Sequence, residues 1–345
     1  MHDCTTWKSG KQLEFLTNEN FQWRNRKDRN MKLAELYKAA GYAEYGARAS
    51  WCSVWLQFLV NEDGTKQLQA ANFCQLRLCP ICIARRAKKA AMKLSQVLDY
   101  CQHQDGQVID YLFLTLTVRN CSGAALGDTI GQLTKGWKRL IDHRQVERSI
   151  KGWYRAVEVT RNPDDGSYHP HIHAILAVEP AYFARKSGLY ITQAEWVDRW
   201  QKALRVDYKP SVHISKTKAG NDWQDRSEDA ATLSAVQEAA KYACKDSDYI
   251  DPALPFETAT QIVADYTEAL HRRRLTAFGG ILKEAAAKLG IKSLEDGDLV
   301  HIDEQRIRPD VAELIEDYNW HLGAGDYVLT GRRVNPLKGI KTNEE

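Results

Sequence analysis

The chain has 345 residues, of which 43% are hydrophobic and 27% charged, with eight cysteines and a net charge of +3 at pH 7. At roughly 150 residues per domain this length predicts two domains, and the apolar content excludes wholesale disorder. No apolar run approaches the roughly 20 residues that span a bilayer and no signal-peptide pattern begins the chain, so we expect no membrane association, a cytoplasmic location and reduced cysteines.

The excess of positive over negative charge lies outside the C-terminal region. Residues 251–345 carry 12 Lys and Arg against 17 Asp and Glu, and the rest of the chain carries 36 against 28. Two basic clusters stand out, listed as Arg24, Arg26, Lys27 and Arg29, and as Arg85, Arg86, Lys88 and Lys89. Each could hold nucleic-acid phosphates, although a solvated helix face has the same composition.

Residues 1–50 are expected to form a helical segment, and residues 51–100 a zinc-binding hairpin or knuckle with a basic helix. The predicted elements are a helix near Met31–Ala43, strands at Trp51–Val60 and Gln67–Phe73, and a helix at Ile83–Tyr100. The two strands are rich in β-branched and aromatic residues and flank the turn Asn61-Glu62-Asp63-Gly64, which favours a hairpin.

Strands and helices are expected to alternate along residues 105–250. The predicted strands are Tyr111–Val118, Trp153–Thr160, His171–Val178 and Val212–Ser215, and the predicted helices are Leu126–Ile141, Gln193–Leu204 and Ala230–Cys244. Because two of these strands form a hairpin around Asp164-Asp165, the expected fold is α+β, an antiparallel sheet sandwiched with helices. Residues 251–345 are expected to be a mostly helical region of unknown role.

Three cysteines form a C-x4-C-x2-C pattern: Cys74, Cys79 and Cys82. Two thiolates separated by two residues can chelate one Zn²⁺, and structural zinc takes four ligands. Cys52 is the natural fourth ligand, because we expect it on the preceding strand of the hairpin. The alternative is a set of ordinary buried cysteines.

His171 and His173 alternate on a predicted strand, so their side chains project to one face about 6.5–7 Å apart. Such a pair can bind one divalent cation, and Mg²⁺ or Mn²⁺ would favour a third, carboxylate ligand. Glu158 is the candidate, because a hairpin register pairing it with either histidine places all three side chains on one face. His169 would face the same side of the strand, but Pro170 is expected to end the regular strand there. His169 is therefore expected either to support the metal ligands from behind or to lie in a loop.

The segment Gln237 to Lys245 is predicted to be a helix that places Glu238 and Tyr242 on one face, with Lys245 close by. A tyrosine hydroxyl becomes a good nucleophile only where cations stabilise the phenolate. A divalent metal and a lysine are suitable cations, although an inconsequential i, i+4 pair has the same pattern. Tyr249 is a rival nucleophile.

These segments together resemble the plasmid rolling-circle replication initiators of the HUH endonuclease superfamily, in the class with a single catalytic tyrosine and an upstream cysteine-rich segment. The blocks that carry the resemblance are CQLRLCPICIARR from Cys74, FLTLTVRN from Phe113, Glu158-Val159-Thr160, HPHIHAIL from His169 and EAAKYACK from Glu238. The resemblance spans roughly residues 52–249 and implies an RRM-like core.

The resemblance also implies roles for the residues. His171, His173 and Glu158 would bind Mg²⁺ or Mn²⁺, and Tyr242 would attack the scissile phosphate to leave a 5′-phosphotyrosine and a 3′-hydroxyl primer. Glu238 would activate water at termination, and Lys245 would assist. The residues expected to contact DNA are Arg85, Arg86, Lys88, Lys89 and Lys241.

The implied partners are plasmid origin DNA, single-stranded or cruciform at the nick site, and a host helicase and polymerase in the bacterial cytoplasm. Two alternatives remain open at this point. They are a single-strand transposase of the same superfamily and a noncatalytic zinc-dependent DNA-binding protein. A zinc hydrolase using His171 and His173 fits less well, because it leaves Tyr242 unused and the chain lacks the H-E-x-x-H pattern.

Overall fold

The structure is a computed structural model, and it describes residues 13–17, 21–103, 108–217, 236, 238–240, 243–295, 297–302 and 309–339. Within these ranges the chain forms eight α-helices and nine strands. The helices are α1 (Trp23–Ala39), α2 (Ala43–Trp51), α3 (Pro80–His103), α4 (Gly123–Ile141), α5 (Arg144–Ser149), α6 (Gln193–Leu204), α7 (Phe256–Leu270) and α8 (Ile281–Lys288).

The strands are β1 (Trp55–Val60), β2 (Lys66–Ala71), β3 (Asp110–Thr117), β4 (Gly152–Arg161), β5 (Tyr168–Val178), β6 (Val212–Thr217), β7 (Thr276–Gly280), β8 (Leu314–His321) and β9 (Asp326–Val334). All paired strands run antiparallel. The expected α+β class is therefore confirmed. Among the described residues, no helix combines the length and apolar character needed to cross a bilayer.

The chain divides into two compact units. The first comprises Met1–Arg85, Tyr249–Val263 and Asp298–Glu345, and the second comprises Arg86–Asp248 and Ala264–Gly297. The first unit contains a four-stranded sheet in the order β2-β1-β8-β9. The second contains a five-stranded sheet in the order β6-β3-β5-β4-β7.

The sheet of the second unit has helices on both faces. Its inner strand β3, which lies between β6 and β5, has an almost continuous apolar sequence because both faces of the sheet are covered. On one face, Tyr111, Tyr154 and Ile175 pack with Leu94 of α3 and Leu282 of α8. Helix α4 packs on the other face, where its Trp137 meets Trp153 of β4 edge to face.

The C-terminal region is not mostly helical as expected. It contributes two helices, α7 and α8, but also three strands, β7, β8 and β9. Strand β8 pairs with β1, so that Leu56 lies opposite Tyr318. The acidic composition of this region favoured solvated helices, whereas the carboxylate of Glu316 on β8 is buried and paired with Lys66 at 2.9 Å and Arg332 at 2.7 Å.

Strand β5 also runs further than expected, from Tyr168 through Pro170. Pro170 lies opposite Val159, whose N–H points away from β5 and donates to Ala243 O. Val159 and Pro170 therefore form a pair of opposed residues that exchange no backbone hydrogen bond. Because Pro170 has no N–H to donate, it fits at this position of the strand.

Candidate metal centre and its surroundings

The two histidines and Glu158 meet on one face of the second sheet. Glu158 of β4 lies directly opposite His171 of β5, and Ala156 lies opposite His173, which confirms one of the two registers expected from the sequence. The Nε2 atoms of His171 and His173 are 3.1 Å apart. Glu158 Oε2 lies 3.5 Å from His171 Nε2 and 3.2 Å from His173 Nε2. All three side chains are buried.

Neighbouring groups orient both imidazoles. His171 Nδ1 lies 3.0 Å from the carbonyl oxygen of His169, which can only accept, so Nδ1 donates this bond and Nε2 is the nitrogen that faces the other two side chains. His173 Nδ1 lies 3.2 Å from Thr115 Oγ1. The ring of Phe113 stacks on His173 with 5.5 Å between ring centroids. Such contacts to the outer nitrogen are typical of histidines that bind metal through Nε2.

The three facing atoms fit a divalent cation. Ligands about 2.1 Å from a metal lie about 3.0 Å apart at octahedral angles and about 3.4 Å apart at tetrahedral angles, close to the distances observed. Glu158 Oε2 is buried and has no hydrogen-bond donor within the described structure. Burial by itself would raise the pKa of Glu158, but the two imidazoles outweigh it and hold that pKa well below its usual range. The carboxylate is therefore ionised and directed at both nitrogens.

Two further predicted residues lie at the edge of this triad. Glu238 Oε1 is 3.6 Å from His173 Nε2, with 34% of its side chain exposed. Lys245 Nζ is 3.9 Å from Glu158 Oε1, with 52% exposed. The structure thus brings together five of the residues singled out from the sequence. Tyr242 and Lys241 lie outside the described residues.

Tyr249, the rival nucleophile, lies in the first unit. Its side chain is 1% exposed and its hydroxyl donates to Leu78 O. A nucleophile must reach the phosphorus of a bound DNA strand, so this burial argues against Tyr249.

The four predicted cysteines form a second cluster, in the first unit. Their Sγ atoms are 3.8 Å apart for Cys52 and Cys82, 3.7 Å for Cys74 and Cys82, and 3.6 Å for Cys79 and Cys52. Four thiolates about 2.3 Å from a central ion lie about 3.8 Å apart, whereas a disulfide requires about 2.05 Å. The cluster fits a tetrahedral metal ion. Cys52, expected on a strand, instead caps the C-terminal end of α2.

A buried lysine, which the sequence pattern did not indicate, lies beside this cluster. Lys27 is fully buried, and its Nζ donates to Ser50 O at 2.7 Å and Cys52 O at 2.6 Å. Burial lowers the pKa of Lys27 to about 8, while the neighbouring cysteines act in the opposite direction. Lys27 therefore belongs to the cysteine cluster, and the expectation that it forms part of a phosphate-binding patch is wrong. The local sequence does not distinguish a buried lysine such as Lys27 from a solvated lysine on a helix.

The expectation that Arg85 and Arg86 contact DNA is also wrong. Both side chains are buried. Arg85 donates to Leu299 O and Val300 O, and Arg86 donates to Glu295 O. Guanidinium groups bonded to main-chain carbonyls in the interior cannot reach a DNA backbone. Of the remaining pair on α3, Lys88 is exposed and Lys89 is half-buried.

A polar chain beside the metal triad was also not predicted. His169 Nδ1 lies 2.7 Å from Asn120 Oδ1, and Asn120 Nδ2 donates to Ser167 Oγ at 2.8 Å. The His169 and His171 rings have centroids 5.4 Å apart. His169 therefore lies on strand β5 beside the triad and not in a loop.

Similarity to known proteins identifies the family of the chain. A family model described as Replication protein (Rep_1) matches residues 65–328. The chain is 35% identical over 329 residues to Protein rep of Bacillus amyloliquefaciens, covering 91% of this chain and 95% of the relative.

It is also 36% identical to Protein rep of Streptococcus pneumoniae serotype 2, covering 81% and 83% of the two chains. A Replication protein of Staphylococcus aureus is 35% identical over 61% of this chain and 88% of its own length. No solved structure matches the chain. The chain therefore belongs to the Replication protein family.

Proposed function

We propose that the chain is a rolling-circle plasmid replication initiator of the HUH endonuclease superfamily, in its single-tyrosine class. The observation that carries this proposal is the buried Glu158–His171–His173 triad with Glu238 and Lys245 at its edge, in a chain of the Replication protein family. The chain would nick origin DNA and transfer the strand to its own tyrosine.

In the first step, the Tyr242 hydroxyl oxygen forms a bond to the scissile phosphorus and the bond from phosphorus to the 3′-oxygen breaks. The tyrosine loses its proton and the departing 3′-oxygen gains one, so the step is balanced without a further reagent. The products are a 5′-phosphotyrosine and a free 3′-hydroxyl that a host polymerase extends. A host helicase would open the duplex ahead of the polymerase.

Glu158, His171 and His173 would hold Mg²⁺ or Mn²⁺, which when bound polarises the scissile phosphate. Lys245 would balance the charge that builds on the nonbridging oxygens, since its Nζ lies near Glu158 and is half exposed to an incoming strand. Lys245 would also favour the phenolate form of the attacking tyrosine.

Glu238 suits a later proton transfer. Its carboxylate is next to His173 but remains one-third exposed, so a water molecule can approach it. At termination Glu238 would take a proton from that water, which attacks the phosphorus and releases the tyrosine. A single tyrosine then suffices for the whole cycle.

The four-cysteine cluster would hold one structural Zn²⁺. Cys52 ends helix α2, whereas Cys79 and Cys82 flank and open α3, so a bound ion would join these two parts of the first unit. The exposed Lys88, together with Lys89 and Lys241, would contribute to binding the DNA backbone.

The test uses the full chain, a single-stranded origin oligonucleotide and the same sequence in a cruciform, with Mn²⁺ or with chelator. We expect a metal-dependent nick and an SDS-resistant adduct that mass spectrometry maps to Tyr242. Binding without any nick in either substrate would contradict the proposal and favour a noncatalytic DNA-binding protein. The His171→Ala/His173→Ala double variant is the control, since it should bind DNA but not cleave it.

A further inference from the structure

A buried tyrosine of α7 holds the chain segment that follows the proposed nucleophile. Tyr266 is fully buried in the second unit, and its hydroxyl donates to Asp248 Oδ2 at 2.6 Å. The same hydroxyl lies 3.4 Å from Val159 O. Asp248 ends the short 3-10 helix Asp246–Asp248 and is half-buried. One hydroxyl group therefore joins this helix to strand β4 beside the metal ligand Glu158.

A second anchor holds the other end of the same segment. The N–H of Val159 donates to Ala243 O at 2.7 Å. We name residues 243–248 the anchored segment. The N–H of Val159 holds the start of this segment directly, and the carbonyl of Val159 holds its end through the Tyr266 hydroxyl. Both anchors use the residue next to Glu158 in the chain.

Lys245 lies between the two anchors, and its Nζ reaches to 3.9 Å from Glu158 Oε1. Tyr242 precedes Ala243 in the chain. Any shift of the anchored segment relative to β4 would therefore move Lys245 away from the metal ligands, and it would also displace the point at which the chain leads back to Tyr242. In reactions of this kind a displacement of about 1 Å can reduce the rate about 100-fold.

We propose that Tyr266 and Asp248 are positioning residues, which act through the anchored segment to set Lys245 and the nucleophile against the metal triad. This inference rests on the proposed function, because it concerns the same chemical step. Neither residue touches the reacting atoms. Their contribution is the hydrogen bond that the buried hydroxyl of Tyr266 donates to the side chain of Asp248.

The chain offers a matched control for this bond. Tyr168 is also buried, its hydroxyl donates to Asp265 Oδ2 at 2.7 Å, and its ring packs edge to face on Tyr266 with centroids 5.4 Å apart. Tyr168→Phe and Tyr266→Phe each delete one buried hydroxyl bonded to one carboxylate. Only the second of these hydroxyls is bonded to the anchored segment.

The first measurement is amide hydrogen exchange, which needs neither DNA nor activity. In Tyr266→Phe and Asp248→Ala, we expect the Val159 amide to exchange at least about 10-fold faster than in the wild-type chain, because the bond to Ala243 O loses its support. Tyr168→Phe should leave this amide unchanged. Equal exchange at Val159 in Tyr266→Phe and the wild type would overturn the inference.

The second measurement is single-turnover adduct formation with saturating origin oligonucleotide and Mn²⁺. Tyr266→Phe and Asp248→Ala should slow the adduct by about 10- to 100-fold with unchanged DNA affinity. Asp248→Asn should recover most of the rate, since an amide oxygen still accepts from the Tyr266 hydroxyl. Equal slowing in Tyr168→Phe, or no recovery in Asp248→Asn, would show a merely structural effect. An absence of adduct in the wild type would instead refute the proposed function, and the exchange result would still test the anchor.

Discussion

Glu158 and His171 lie directly opposite each other on β4 and β5, with Glu158 Oε2 3.5 Å from His171 Nε2. The turn between the two strands sets this register, and one residue of slippage would move Glu158 to the opposite face of the sheet. The metal triad therefore depends on the hairpin as much as on its three side chains.

The first prediction concerns the charge of Glu158. Glu158→Gln keeps the shape of the side chain but removes the negative charge between two imidazoles, so Mn²⁺ affinity should fall by at least about 10-fold. Titration calorimetry or Mn²⁺ electron paramagnetic resonance measures it. Glu147→Gln, which changes an exposed carboxylate on α5, is the control. Undiminished Mn²⁺ binding in Glu158→Gln would remove Glu158 from the ligand set.

The second prediction concerns zinc. The wild-type chain should contain one Zn²⁺ after washing with a weak chelator, and Cys79→Ser should lose it with much of the fold of the first unit, because structural zinc contributes directly to folding. Elemental analysis and circular dichroism measure the two effects. Cys121→Ser should retain the ion, since Cys121 lies outside the cluster. Zinc-free wild-type protein with an intact fold would refute the assignment.

The third prediction concerns Lys27. Lys27→Met preserves the apolar stem but leaves the carbonyls of Ser50 and Cys52 without their donor. Leaving buried polar groups unpaired costs about 1–3 kcal/mol of unfolding free energy. A tetrathiolate zinc site is also negatively charged, so removing the ammonium group should speed zinc release to a chelator. Denaturant unfolding and chelator kinetics test both effects, and unchanged values in both would mean that Lys27 does not support the cluster.

The fourth prediction separates Tyr242 from Glu238. Tyr242→Phe removes only the oxygen of the proposed nucleophile and should abolish both the nick and the adduct. Glu238→Gln should allow the first nick but slow release by about 100- to 10,000-fold, so that the covalent adduct accumulates. Denaturing gels of a time course measure nick and adduct together. Equal loss of the first nick in both variants would make Glu238 a metal or positioning residue.

The fifth prediction separates buried from exposed basic residues on α3. Lys88→Ala should weaken DNA binding and lower the slope of log affinity against log salt by about one. Arg86→Ala should instead lower the free energy of unfolding, since the buried Glu295 O loses its donor, and should leave the salt slope unchanged. Anisotropy titrations over a range of salt and denaturant unfolding distinguish the two. A reduced salt slope in Arg86→Ala would restore the arginine as a DNA contact.

The sequence by itself determined the features that depend on local pattern and ligand chemistry. Alternation along two strands and the short turn between them place Glu158, His171 and His173 on one face, whatever else surrounds the hairpin. The spacing of Cys74, Cys79 and Cys82 likewise predicted a cluster whose members do converge.

Only the tertiary structure decided which polar residues are buried and what they contact. Lys27 and Arg86 look like solvated basic residues until their distant carbonyl partners are known. Strand β8 becomes a strand through pairing with β1, more than 250 residues away in the sequence. The hydroxyl of Tyr266 meets Asp248 and Val159 because α7 packs beside β4. Local periodicity specifies the face on which a side chain lies, whereas its partner across that face is specified by long-range packing.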